Sequence, residues 1–418
     1  MPYLTCTTRQ RRTQKAVSIV ISLFCLAASL FVLPAAAAGA EKNTSSSKTI
    51  TAVDTPLEGL YLGIGGLLQG DYRWLAESER ADNRFDIRRS RLILNGRFAK
   101  HFAFEFEYEF KDNRSENLLD AYLSAELGLS ARLVAGQFKA PFSLEWQTQN
   151  HNLFFAERSM GHYLIPGRDI GAMLAGRFLD SRIHCAAGLF NGNGIGGASS
   201  RKEHDDPEIA ARLVFQPLKP AESFLSTLSL GFSGTYGRID TTNISMRVKS
   251  AGMAGSSRYI YDLSHNTKFG VIQDVSSRDR WGAELLWTVG PLALFGEYME
   301  TRFRDMAPAG GEAMDASFSA WYAAAVWAAT GEAIHIANGR FAPLRPERPF
   351  QPGTGGYGAL CVAARIEHFD GDEDWINPEA YVSVREADAW SLAVNWCLFE
   401  GFRCIADFTR TELSDPIR

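Results

Sequence analysis

After its first forty residues the 418-residue chain has no unbroken apolar run of 18 or more, so helical membrane spans are excluded there. The short motifs of familiar chemistry are missing too. No GxSxG, HExxH, P-loop or CxxC occurs, and the eight histidines show no i,i+4 pairing, so hydrolase, zinc and nucleotide chemistry find no support. The Gly-rich residues 192–197 precede no helical pattern and read as a loop, not a phosphate cradle. No catalytic residue, metal or cofactor is predicted. A basic excess is also lacking: the net charge is −5, which gives nucleic-acid binding no support. Cysteine is scarce. Of six, Cys6 and Cys25 fall near the start, and Cys185, Cys361, Cys397 and Cys404 have no zinc-like spacing. Cys397 and Cys404 fall on opposite faces of their predicted strands, so no disulfide framework is expected.

What is present begins with Arg9, Arg11, Arg12 and Lys15, an apolar run from Ala16 to Leu33, and the small-residue exit Pro34 to Ala40. This is the layout of a secretory signal peptide over residues 1–40, a single membrane anchor being the alternative. Its removal leaves a net charge of about −9. Residues 41–58, rich in Ser, Thr and Lys, read as a flexible periplasmic lead-in.

The clearest patterned stretch runs from Phe102 to Lys111. Phe102, Phe104, Phe106, Tyr108 and Phe110 alternate with Ala103, Glu105, Glu107, Glu109 and Lys111. A helix at about 100° per residue would scatter the rings around its circumference. A strand puts all rings on one face and the charges on the other. Either a sandwich core or surrounding lipid would accept such a face. Similar alternation recurs in fifteen segments, from Leu60–Trp74 to Phe402–Thr411.

Loop lengths favour lipid. Links after the second, fourth, sixth, tenth and fourteenth segments are short and share one side, while those after the fifth, seventh and ninth are long and share the other. Such asymmetry belongs to transmembrane barrels. The predicted fold is an all-β, transmembrane antiparallel β-barrel over residues 59–418, of about sixteen strands. The sixteenth is either missed within Arg258 to Ile272 or absent, and the link Ala329 to Gly356 is long on the short-turn side.

Several blocks now join into a resemblance. They include Arg88-Arg89-Ser90-Arg91-Leu92, Asp120-Ala121-Tyr122-Leu123, Gly136-Gln137-Phe138-Lys139-Ala140-Pro141-Phe142, Pro166-Gly167-Arg168-Asp169-Ile170-Gly171, Gly188-Leu189-Phe190-Asn191-Gly192 and Asn395-Trp396. Spread in order along the chain, they resemble the phosphate-selective porin O and P family of Gram-negative outer membranes. The resemblance implies a sixteen-stranded homotrimeric barrel in outer-membrane lipid. It also implies a third loop folded into the pore and basic side chains along the path of small anionic solutes such as phosphate. The gap Lys139 to Gly167 falls where that third loop belongs.

Selectivity needs charges held at a constriction, where low-dielectric walls strengthen their field. Arg89, Arg91 and Arg97 share one predicted inward face and form a candidate ladder; the alternative is pairing with Glu105 and Glu107 on the next strand. Lys139, Arg158 and Arg168 belong to the third loop or its hinges and are the stronger pore candidates, the alternative being salt bridges to Glu145, Glu157 or Asp169. Arg177 and Arg212 are predicted inward singletons. The expected function is passive diffusion of small anions. A general or weakly cation-preferring porin is the alternative, favoured by the inward Glu105, Glu107 and Glu109. A secreted, soluble β-sandwich binding module is the alternative from another class. Asp372, Glu373 and Asp374 form an acidic cluster read as a solvated loop, with a calcium site as the alternative.

Overall fold

The computed structural model describes residues 14–25, 53–54, 60–76, 83–111, 117–128, 130–192, 194, 206–219, 223–239, 246–253, 259–263, 272–308, 310–376 and 383–414. Most of the predicted signal peptide and lead-in, much of the Gly-rich loop and the last four residues lie outside them.

Sixteen strands build the wall. In chain order they are β1 (Gln14–Cys25), β2 (Tyr61–Ala76), β3 (Arg84–Phe98), β4 (Phe102–Glu109), β5 (Leu118–Gly128), β6 (Ala131–Lys139), β7 (Arg168–Phe178) and β8 (Ile183–Phe190). There follow β9 (Glu208–Phe215), β10 (Ser229–Arg238), β11 (Ser277–Val289), β12 (Leu292–Pro308), β13 (Met314–Ala328), β14 (Ala359–Asp370), β15 (Glu386–Phe399) and β16 (Phe402–Leu413). From β2 to β16 each strand pairs antiparallel with the next. All fifteen segments legible in the alternation are therefore strands.

The sixteenth place is filled from the other end of the chain. β1 pairs with β16, Gln14 opposite Leu413 to Cys25 opposite Phe402, and with β2, Val17 opposite Ala76 to Cys25 opposite Leu68. These pairings close the ring, and they use the apolar run read above as part of a signal peptide. Among its described residues, the region suspected of hiding a strand supplies Tyr261–Asp262, paired with Arg247–Val248, and the start of Ile272–Asp274, paired with the end of β12.

Exposure is inverted relative to a soluble sandwich. Trp390, Leu392, Val394 and Trp396 of β15 are exposed, whereas Ser391 and Asn395 between them are 1 % exposed. On β4, Phe102 is exposed while Glu107 is buried. Apolar side chains outside and polar ones inside are what a wall between lipid and an enclosed lumen requires.

Short turns at 99–101, 179–182, 290–291 and 400–401 mark one end of the ring. The long connection at that end, residues 329–358, is explained by where it goes. Ile336–Ala337 and Arg340–Phe341 pair as a small hairpin, and Phe341 is 3 % exposed, 5.2 Å from Phe154 and 4.8 Å from Phe295 by ring centres. It folds back inside the ring. At the other end the Arg247–Asp262 hairpin reaches the connection between β14 and β15: Val384 N–H donates to Ile260 O at 2.9 Å, and Tyr261 Oη donates to Asp372 O at 2.9 Å. Asp372 accepts from the N–H groups of Asp374 and Ser317, both at 3.0 Å, which gives part of the acidic cluster a structural task.

The interior differs from the uniformly polar lumen that alternation suggests. Phe142, Leu144, Phe154, Phe155, Met160 and Leu164, from the link between β6 and β7, pack with Phe295, Met299, Phe318 and Tyr322 of the wall. Segments folded inward bring their own apolar side chains, so one side of the lumen is packed protein rather than water.

Candidate functional site: a cationic cluster on the inward-folded segment

Lys139 ends β6, Arg168 opens β7, and the two stand opposite one another in register. The residues between them form three single turns: α1 (Leu144–Gln147) and 3-10 turns at Asn150–Asn152 and Met160–Leu164. Ser143 starts α1, its Oγ accepting from the Trp146 N–H at 3.1 Å. So short a run without regular structure must find partners for its backbone groups elsewhere.

It finds them across the ring. Glu297 of β12 accepts from the N–H groups of Leu144 and Glu145, both at 2.8 Å, and from Tyr322 Oη at 2.7 Å. Glu367 of β14 accepts from Met160 N–H at 2.7 Å, and Asp407 of β16 from Ala156 N–H at 3.1 Å. Asn395 Nδ2 donates to Phe154 O at 2.7 Å and Thr301 Oγ1 to Leu164 O at 2.6 Å. Arg365, fully buried, donates to Glu145 Oε1 and to Glu157 O, each at 3.2 Å. Four wall strands thus hold a segment that leaves the wall on the opposite side.

On this seat three cations meet one ring. Lys139 Nζ lies 5.0 Å, Arg158 Cζ 5.2 Å and Arg168 Cζ 5.6 Å from the centre of the Trp146 indole. The negative face of the ring offsets part of their repulsion. Arg168 is neutralised by Asp120, at 3.0 and 2.7 Å, and by Glu107 at 3.1 Å. Lys139 and Arg158 differ: Lys139 Nζ donates to Trp146 O at 2.7 Å, and Arg158 donates to Glu145 O at 3.3 Å and Thr148 O at 3.1 Å. Neither makes a salt bridge to a carboxylate among the described residues. Burial, opposed by Glu145, draws Arg158 down to about 10. His162, its ring 5.0 Å from Trp146, is pushed well below its ordinary range by burial and then by Arg158. Burial, with Arg403 next, lowers His151 to about 4.

The other predicted residues sit apart from this cluster. Arg91 pairs with Glu107 and Glu109, both at 2.8 Å, and Arg212 with Glu284 at 2.6 Å. Arg89 donates to Gln69 Oε1 and lies 3.8 Å from Glu157 Oε2. Arg97 and Arg177 are exposed at the short-turn end of β3 and β7. Glu145, Glu157 and Asp169 bond elsewhere: Glu145 to Ser159 and Arg365, Asp169 to the N–H groups of Ile170 and Gly192.

Sequence reasoning missed Arg88, because strict alternation points it outward. The register between β2 and β3 slips there: Gln69 faces Arg89 and Gly70 faces Ile87, leaving Arg88 unpaired in a β-bulge. A bulge lets two consecutive side chains share one face, and Arg88 reaches Glu157 at 2.7 Å. Trp146 was missed because nothing local distinguishes it from a core residue.

The family described as phosphate-selective porin O and P matches residues 62–415. Among solved structures, an anion-selective porin from Comamonas acidovorans is similar at 10 % identity, with 97 % of this chain and 100 % of that one covered and a TM-score of 0.42. A loop-deletion mutant of OmpT, an outer membrane protein of Vibrio cholerae, is similar at 10 % identity, with 96 % and 99 % covered and a TM-score of 0.43. The outer membrane channel DcaP of Acinetobacter baumannii is similar at 9 % identity, with 97 % and 98 % covered and a TM-score of 0.42. No curated protein is matched.

Proposed function

Because the chain belongs to the phosphate-selective porin O and P family and is thus an outer-membrane porin channel, we propose that it passes small anions such as phosphate through a lumen narrowed by residues 140–167. The observation that carries this reading is the meeting of Lys139, Arg158 and Arg168 on Trp146, two of them held only by carbonyls and the indole. A cation without a carboxylate partner keeps its attraction for a passing anion, and low-dielectric walls strengthen that attraction. Of the inward carboxylates Glu105, Glu107 and Glu109, the last two are paired with Arg91 and Arg168, which also holds Asp120; Glu105 makes no salt bridge among the described residues and is what supports the cation-preferring alternative. Export by residues 1–40 and assembly as a homotrimer belong to the same reading.

Reversal potentials of the purified protein in planar bilayers, measured across a KCl gradient, test it. Anion selectivity that weakens in Lys139→Glu is expected. A cation-selective wild type overturns the anion path and favours a general or weakly cation-preferring porin. Selectivity unchanged in Lys139→Glu removes that residue from it.

A further inference from the structure

The outward face of the wall is hollowed over β7 to β10. A cavity of about 430 Å³ opens there, within the size range of small-ligand pockets. Its floor is made of small residues that strand pairing sets side by side: Gly176 opposite Cys185, and Ala187 opposite Ala211, which in turn faces Gly234. Larger outward side chains, Leu174, Phe178, Leu213 and Phe232, are exposed around it and form the rims. A Cβ at Gly176 would meet the Phe178 ring at 3.0 Å, whereas one at Gly234 would have Arg280 O, at 3.6 Å, as its nearest neighbour. The Phe178 ring therefore leans over one end of the floor, and the other end is open. Gly176, Cys185, Ala187 and Ala211 lie within four residues of the short-turn end of their strands, roughly 13 Å of strand and so within one leaflet of a bilayer. At that end Leu179 and Leu218 are exposed beside two cations. Lys219, also exposed, donates from Nζ to Asp180 O at 2.9 Å and Ser181 O at 3.1 Å, and Arg182 belongs to the same turn. Neither cation pairs with a carboxylate among the described residues.

We propose that this face binds one anionic phospholipid, with an acyl chain lying in the hollow and the phosphate held by Lys219 and Arg182. An apolar hollow in hydrocarbon forfeits dispersion contacts until something fills it, and a run of methylenes is narrow enough to reach the floor. A second copy of this chain fits worse, because a convex barrel wall would rest on Leu174 and Phe232 and leave the floor uncovered. The two cations at the membrane surface supply the attraction for a negative headgroup, and the exposed Leu179 and Leu218 carry the apolar surface up to them. This holds whichever ion the pore prefers.

The test is lipid retention by the purified, delipidated protein, counted by native mass spectrometry during titration with phosphatidylglycerol or with diacylglycerol of the same chains. The wild type should hold one phosphatidylglycerol more tightly than diacylglycerol. Lys219→Gln combined with Arg182→Gln should weaken phosphatidylglycerol roughly thirtyfold and leave diacylglycerol unchanged. Gly234→Phe combined with Ala187→Phe fills the floor with side chains that lipid-facing strands accept; it should abolish retention of both lipids while the folded band stays heat-modifiable. Equal retention of the two lipids by the wild type overturns the proposal, as does retention undiminished in the filled variant. Loss of an oligomer in the filled variant, with lipid retention unchanged, overturns it too and makes this face an interface between copies. If the filled variant yields no folded band, a phosphatidylglycerol with a photoactivatable acyl chain decides the matter on the wild type. Crosslinks within residues 174–187 and 211–234 are expected, and crosslinks spread evenly around the wall are fatal.

Discussion

Lys139 and Arg168 face each other where the inward segment leaves and rejoins the wall, and both reach the indole of Trp146. They are not equivalent. Arg168 is bound to Asp120 and Glu107, whereas Lys139 bonds a carbonyl. On the proposed anion path, the charge left without a carboxylate partner among the described residues is therefore that of Lys139 and Arg158.

Replacing Arg158 by Gln removes one of those two charges. The anion-to-cation permeability ratio should fall roughly tenfold, about 1.4 kcal/mol, as read from reversal potentials. Arg91→Gln, whose guanidinium is already neutralised by Glu107 and Glu109, should shift the ratio less.

Glu297 accepts from two N–H groups of the inward segment. Glu297→Ala leaves both without that partner, at a cost of about 1–3 kcal/mol for each buried group left unsatisfied. Limited proteolysis should then cut residues 140–167 faster than in wild type while the barrel stays heat-modifiable. Tyr322→Phe, which removes only a donor to the same carboxylate, should have a smaller effect.

Acid should loosen the same segment in two stages. His151, with its pKa lowered to about 4 in the fold, stays neutral there, while an unfolded histidine titrates near pH 6.5. The fold therefore binds fewer protons across that interval, and its stability rises with pH. The contribution is present above about pH 6.5 and is lost as pH falls toward 4. Glu157 is also depressed, so its contribution is present above the usual carboxylate range near 4.3 and is lost only at still lower pH. Protection of residues 140–167 from an acid-active protease should decline between pH 6.5 and 4, then collapse below it. His162, also held well below its ordinary range by burial, acts from the same starting pH, so His151→Asn should shrink the first decline, His151→Asn with His162→Asn should remove it, and both should leave the second.

The place of β1 predicts a comparison of lengths. Its backbone pairs along β2 and β16, and an unpaired strand edge in lipid is costly. Refolded in detergent, the full chain should keep its fast-migrating folded band to a higher temperature than a chain beginning at Glu41. Equal temperatures would show that β1 adds nothing to closure. Intact mass of the protein taken from outer membranes should show residues 1–40 removed, as the composition of that segment predicts, and β2 and β16 must then meet without β1, since an open edge in lipid is costly.

Phe341 lies against Phe154 and Phe295, joining the hairpin from the short-turn end to the inward segment. Phe341→Ala should cost about 3–5 kcal/mol locally and raise single-channel conductance and its noise, with selectivity nearly unchanged.

Period-two segregation, read from residues such as Phe102 to Lys111, determined the strands, their two faces and the length asymmetry of most links. Those properties are local: a pleated backbone sends neighbours to opposite sides whatever the rest of the chain does. It also marked Lys139, Arg158 and Arg168 as residues of one loop and its hinges. Tertiary structure alone decided their meeting on Trp146, the neutralisation of Arg91 by Glu107 and Glu109, and the inward turn of residues 334–343. It also decided that Arg88 faces Glu157, through one slipped residue opposite Gln69 and Gly70. Contacts between Glu297 and Leu144, or Asp407 and Ala156, join residues more than 150 positions apart. Such pairs depend on ring closure and on which backbone groups still need a partner, and no window along the chain contains both.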